Sequence, residues 1–219
     1  MASLTEENYL KSIHSLMEKS SSAPVTTNDL SAAMKIKAAS VTDMLKKLSA
    51  KKLIHYKKYQ GVLLTHTGKL LAISIIRKHR LWELFLTEKL KFSWDQVHEM
   101  AEELEHVSSQ QLIERLDAFL GHPKFDPHGD PIPDHNGKMA DYKFFNLSSL
   151  TINEKGKVAT VIEQQPSFLK HLNKLNIKVG TTIKVLDRVD FDKSLTISVG
   201  SSSLFSISNE IAKNILVSK

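Results

Sequence analysis

The chain has no cysteine. That excludes disulfides, thiolate nucleophiles, Cys-based zinc fingers and iron–sulfur clusters together. Any metal would have to sit on His, carboxylate, amide or carbonyl groups. Long apolar runs are also lacking. No stretch approaches the roughly 20 residues that cross a bilayer, and the opening "MASLTEENYLKS" is polar and helix-like, unlike a signal peptide. The expectation is a soluble, cytoplasmic protein with no membrane partner. Arginine is missing from the first 71 residues, where every cationic side chain is a lysine.

What is present is unevenly placed. Residues 1–71 hold 11 Lys against 5 acids, whereas the remaining 148 hold 19 basic and 19 acidic residues, so the whole net charge of +6 lies in the first third. Eight of those lysines (35, 37, 46, 47, 51, 52, 57 and 58) fall within 24 residues that contain Asp43 as their one acid. A lysine run is often just a solvated face, but concentrated in one module it is what a phosphate-binding surface requires.

Residues 5–19 open with a capping-box-like T-x-x-N and carry Tyr9, Leu10, Ile13, Leu16 and Met17 at helical spacing. "VTTNDLSAAMKIKAASVTDMLKKLSAKKLI" reads as two short helices with a tight connection near Lys35–Lys37, the second over 38–50. "LIHYKKYQGVLLTHTGK" adds two strand-like runs about Gln60-Gly61, a wing, so the module reads as a DNA-binding winged helix-turn-helix. A long helix over 65–90 follows. Its Leu70, Leu71, Ile73, Ile75 and Ile76, with the Leu- and Phe-rich helices to about 120, exceed a thin amphipathic stripe, and surplus apolar surface implies a dimer core. The segment 121–138 concentrates Pro, Gly, Asp and three histidines and reads as an irregular loop with exposed histidines. From 152 the runs "VATVI", "TTIKVL", "SLTISV" and "LFSIS", closed by a short helix from about Asn209, read as a small separate β-barrel. The fold class is therefore mainly α with a small β domain.

"HEMAEELEH", residues 98–106, begins like the zinc-protease signature H-E-x-x-H and then breaks it at Glu102. On a helix, His98, Glu102, Glu105 and His106 fall at i, i+4, i+7 and i+8 within an arc of about 100°. Such a column of imidazoles and carboxylates is either a ligand set for a divalent cation or a solvated acidic face.

The order of these parts resembles the diphtheria toxin repressor family of metal-activated transcriptional regulators, including its manganese transport regulator branch. "RKHRLWELFL" (77–86), "VHEMAEELEHVSS" (97–109) and "HGDPIP" (128–133) carry the resemblance, which spans essentially the whole chain. It implies a winged-helix domain over 1–71, a helical metal-binding and dimerisation domain over 72–146, and an SH3-like (FeoA-like) barrel over 150–219. The implied function is repression by a homodimer on palindromic operator DNA, controlling metal uptake genes. The family's primary metal site falls on Asn8, Glu102, Glu105 and His106, and its ancillary site on His79, Glu83 and His98. The barrel can supply Glu163, Gln164 or Gln165. Lys37, Ser40, Thr42, Asp43, Lys46, Lys47, Lys57 and Lys58 are the residues expected to meet DNA.

Three positions modify the metal expectation. Glu102 stands where the iron branch has sulfur, and this hard oxygen donor favours Mn²⁺, with Fe²⁺ as the alternative and Zn²⁺ able to occupy the sites in vitro. Asn8 offers an amide oxygen without charge. Lys11 stands where two-domain manganese regulators place a Glu ligand, and an ammonium cannot coordinate. The competing readings are an iron-dependent repressor of the same family, a winged-helix regulator with a non-metal effector, and a helical metalloenzyme. For the last, a zincin lacks its second imidazole, and a di-iron bundle needs two E-x-x-H helices where Glu103–His106 is one candidate.

Overall fold

The computed structural model describes residues 2–19, 23–107, 109–139, 142–200 and 203–219. The chain divides into two compact units, the first comprising Met1–His79, Leu104–Ser108 and Pro133–Lys138, the second Arg80–Glu103, Ser109–Ile132 and Met139–Lys219.

In the first unit, helices α1 (Leu4–Lys19), α2 (Thr27–Met34) and α3 (Ala38–Ala50) precede an antiparallel hairpin, β1 (Ile54–Lys57) and β2 (Gly61–Leu64). Helix α1 is capped one turn-step earlier than the T-x-x-N pattern suggests. Ser3 Oγ accepts from the Glu6 amide at 3.3 Å, and Glu6 accepts in return from the Ser3 amide at 2.9 Å, so Ser3 and Glu6 form the reciprocal pair. A second reciprocal cap, Thr26 with Asp29, starts α2, and Lys35 in the left-handed region (φ 55°) turns the chain into α3. Tyr9, Leu10 and Ile13 of α1, Leu30 of α2, and Val41, Leu45 and Leu48 of α3 close one core with Ile54 and Val62 of the hairpin. Gly68, in the first turn of α4 (His66–Glu88), packs against the connection between α3 and β1, where a Cβ would lie 1.9 Å from the Leu53 carbonyl.

The second unit continues α4 and adds α5 (Val97–Leu104) and α6 (Gln110–Phe119). Leu81, Leu84, Ile113, Leu116 and Ile132 form a small core there. Its strands β3 (Phe145–Asn146), β4 (Lys155–Val161), β5 (Thr182–Arg188), β6 (Leu195–Val199), β7 (Ser203–Ile207) and β8 (Ile215–Ser218) make one antiparallel sheet in the order β3-β8-β4-β5-β6-β7. Register shifts in β4 and β5 bend it. Helix α7 (Pro166–Lys174), with Pro166 in its first turn, packs Leu169 and Leu172 into the sheet's core, and α8 (Asn209–Lys213) leads into β8. Neither α7 nor β8 was anticipated from the sequence pattern.

Two expectations change. The barrel is not self-contained, because Trp94, between α4 and α5, lies buried in its core. The isoleucines read as dimer surplus, Ile73, Ile75 and Ile76, are buried within the single chain. Leu70 of the same set is exposed, and between α4 and α6 so are Leu90, Phe92, Leu112 and Phe119. Among the described residues no helix is long and apolar enough to cross a membrane.

Candidate metal centre

Within the second unit the site is built on Glu83, which α4 carries almost fully buried. One carboxylate oxygen lies 3.3 Å from His98 Nδ1 and the other 3.5 Å from His128 Nδ1. His79 precedes Glu83 by one turn of the same helix, at i−4. Asp126, Glu83 and His128 are all buried, and each offers a ligand atom within 4.8 Å of the others.

The loop that supplies Asp126 and His128 is organised by hydrogen bonds. Asp126 accepts from the backbone amides of His128 (2.8 Å) and Asp130 (2.9 Å). Gly129 (φ +87°) brings the loop so close to β4 that a Cβ would sit 1.9 Å from the Ala159 carbonyl. His128 Nε2 donates to the Trp94 carbonyl at 2.8 Å, and the ring stacks on the Trp94 indole. That bond directs Nδ1 at Glu83, as outer-shell carbonyls do for metal-binding imidazoles. Nδ1 is buried with no hydrogen-bond partner in the structure. Burial pulls the His128 imidazole down, but Glu83 and Asp126 outweigh it and hold it at about 9. Burial, then the charges of Asp130 and Glu83, push the Asp126 carboxyl up to about 7. Two buried carboxylates and a buried imidazole whose Nδ1 faces Glu83 are donor types that fit a divalent cation.

His128 corrects the expectation for the 121–138 loop. His122 and His135 are exposed, whereas His128 is withdrawn from water. The barrel residues named from the resemblance make hydrogen bonds of their own. Gln164 donates to Asp130 at 2.9 Å, and Glu163 accepts from the Gln165 amide at 2.8 Å.

The column over 98–106 is not one helical surface, since α5 ends at Leu104 and Glu105 and His106 lie in the turn that follows. Glu102 stays on α5, half exposed and 3.6 Å from His98 Nε2. Glu105 and His106 belong to the first unit. There Glu105, with no solvent exposure, accepts from Lys11 at both oxygens (2.7 and 2.8 Å) and sits 2.5 Å from His79 Nδ1. Burial pushes its carboxyl up, and the His79 hydrogen bond and the Lys11 charge more than reverse this, leaving it below the ordinary carboxylate value. His106 Nδ1 lies 2.7 Å from a Glu7 oxygen. The Asn8 amide oxygen is buried without a hydrogen-bond partner.

The DNA candidates lie on α3, at its start and on the hairpin. Val41, Leu45 and Leu48 turn inward, and Lys37, Ser40, Asp43, Lys46 and Lys47 are exposed. Thr42 spends its hydroxyl on the Ala38 carbonyl (3.0 Å), and Asp43 pairs with Lys46 (3.1 Å). Lys57 and Lys58 are exposed at the hairpin tip, where Lys58 lies over the Tyr59 ring. Tyr59 is 92 % exposed, an aromatic tip that sequence reasoning passed over although it stands between lysines and a glycine turn.

Residues 1–62 match the iron dependent repressor N-terminal DNA binding domain, and residues 65–134 match the metal binding and dimerisation domain of the same repressors. The chain belongs to the iron-dependent repressor family. Residues 145–219 match the FeoA domain, as expected for the SH3-like barrel of this family. An HTH-type transcriptional regulator of Methanocaldococcus jannaschii is 36% identical over 114 residues, 52% of this chain and 90% of that protein. The iron-dependent repressor IdeR of Mycobacterium tuberculosis is 31% identical over 129 residues, 59% of this chain and about half (55%) of that relative. Among solved structures, a manganese-dependent transcriptional repressor in complex with manganese superposes with a TM-score of 0.84 at 30% identity, covering 97% of this chain and 98% of that one. The mainly α fold with winged helix, helical middle and SH3-like barrel is thus the family's.

Proposed function

We propose that this family member is a metal-activated transcriptional repressor that binds palindromic operator DNA as a homodimer and responds to Mn²⁺, with Fe²⁺ the alternative metal. The observation that carries the reading is the buried Glu83–Asp126–His128 group, whose ligand atoms lie within 4.8 Å of one another, on a chain whose α3 and hairpin expose the lysines. Glu83, Asp126 and His128 would hold the cation, with His98 beside Glu83 as a further donor; His79, four residues earlier on α4, enters the set by resemblance. Glu102, next to His98, is a candidate for the same neighbourhood. The set is rich in oxygen and free of sulfur, which suits Mn²⁺ and Fe²⁺ better than a soft ion. When bound, the cation supplies positive charge to carboxylates that burial otherwise disfavours.

The protein's own residues do the rest. Arg80 donates to the Pro131 carbonyl and lies 3.6–3.7 Å from Asp126 and Asp130, fixing the loop that presents Asp126 and His128. The DNA-reading surface is α3 and the hairpin, with Ser40 and Asp43 toward base edges and Lys37, Lys46, Lys47, Lys57 and Lys58 toward phosphates. A symmetric dimer would present two α3 helices to successive major grooves about 34–36 Å apart. Residues 1–71, 72–146 and 150–219 are the proposed functional domains, the cytoplasm is the proposed compartment, and DNA binding is the proposed activity in place of catalysis.

Resemblance extends the metal set to Asn8, Glu105 and His106. The orphaned Asn8 oxygen fits a ligand, but Glu105 does not, since Lys11 already holds both of its oxygens.

The test is binding of duplexes selected from a random pool, after chelation and then with Mn²⁺, Fe²⁺ or Zn²⁺ restored. Chelation should weaken binding and Mn²⁺ should restore it, by the roughly 5–150-fold typical of coupled sites. Binding indifferent to chelation would favour the regulator with another effector.

A further inference from the structure

The cluster around Glu105 already contains a cation of its own. Lys11 Nζ lies 2.7 Å from one Glu105 oxygen and 2.8 Å from the other, with the carboxylate fully buried and the lysine side chain 18% exposed. His79 adds a third contact at 2.5 Å. An ammonium is a compact point charge with three donors, so this two-oxygen grip uses its hydrogen-bonding capacity well. A metal ligated by Glu105 would have to compete with that ammonium for the same two oxygens and bring a second positive charge beside it, a costly arrangement at a fully buried carboxylate. Next to this pair, His106 Nδ1 lies 2.7 Å from a Glu7 oxygen, so α1 touches the 105–106 turn through an ion pair and a histidine–carboxylate hydrogen bond.

We propose that Lys11 is the resident cation of this cluster, tying α1 to the turn at Glu105 without a metal, so that Glu105 is a structural anion and not a metal ligand in this chain. The tie stands on the first unit's own contacts and does not depend on how metal is bound at Glu83. Its consequence is that α1, which packs against α2 and α3 through Tyr9, Leu10 and Ile13, is anchored whether or not metal is present.

Two measurements on the full chain test this separately from the metal reading. The first is a double-mutant cycle, Lys11→Met with Glu105→Gln, followed by thermal unfolding in excess chelator. Each single variant should lower the midpoint, and the double variant should fall by less than the two losses added, because both single changes remove the same Lys11–Glu105 contact. Additive losses would overturn the proposal. The second is Mn²⁺ bound per chain, counted by equilibrium dialysis and elemental analysis. Glu105→Gln with Lys11 intact should bind as many Mn²⁺ as the unaltered protein, and loss of an ion would make Glu105 a ligand and overturn the proposal. Should Lys11→Met fail to fold, Lys11→Arg replaces it in the unfolding experiment. Retention of most of the chelator-resistant stability by the charge-preserving variant supports the tie, whereas a loss equal to that of Glu105→Gln counts against it.

Discussion

His128 shows how far a residue's neighbours in sequence can mislead. The segment 121–138 is dense in Pro, Gly and Asp, and a histidine there looks like solvent-exposed loop. His122 and His135 obey that pattern. His128 departs from it because Gly129 lets the loop press on β4 and because Trp94, more than 30 positions away, accepts its Nε2 proton. Neither contact leaves a periodic trace in the sequence. Glu83 and His98, by contrast, were legible from helical spacing and the resemblance, and they do meet at 3.3 Å. Replacing His128 by Ala should remove a donor from the Glu83 group and weaken Mn²⁺ binding by at least about tenfold, roughly 1.4 kcal/mol. His135→Ala, on the exposed part of the same loop, should leave it unchanged. Equilibrium dialysis of the two variants decides the matter. Equal affinities would remove His128 from the centre.

At the scale of elements, periodicity served well where one face met one core. The span read for the second helix of the DNA-binding pair, 38–50, coincides with α3, whose Val41, Leu45 and Leu48 repeat at i, i+4 and i+7. The hairpin was legible from its turn. Helix α5 was overextended, because the apolar and acidic periodicity runs past Leu104 while the backbone does not. Glu105 is drawn to Lys11 and His79, and those distant partners outweigh local helical preference. On the proposed reading the exposed lysines of α3 and the hairpin carry the electrostatics of DNA binding. Each phosphate neutralised contributes about −0.9 to the slope of log K against log salt, so Lys57→Ala or Lys58→Ala should flatten that slope by about 1. Both side chains are exposed and remote from the core of α1–α3, so neither change should alter thermal stability. Filter binding over a salt series gives the slope, and an unaltered value in both variants would take the hairpin tip out of the interface.

For the whole molecule, the sequence suggests a barrel standing apart, and its strands β4–β7 were visible as alternating runs. What it does not display is that one aromatic residue belongs to two places at once. Trp94 is buried in the barrel's core, donates its indole N–H to Asn173 of α7 at 2.8 Å, and stacks on His128 with a carbonyl fixing that imidazole. Barrel packing and the geometry of the Glu83 group therefore share a residue. Trp94→Ala should destabilise the second unit by about 3–5 kcal/mol, the usual cost of deleting a large buried aromatic. It should also lower Mn²⁺ affinity, because His128 loses the surface that holds its ring. Trp94→Phe should retain more of both, having a ring to stack but no N–H for Asn173. Urea unfolding followed by circular dichroism, paired with Mn²⁺ dialysis, separates the two effects. If Trp94→Ala lost stability and kept the metal affinity of the unaltered chain, the barrel would support the fold alone. Parallel losses across the Phe and Ala variants would mean that the barrel, through Trp94, sets how tightly the chain holds its metal.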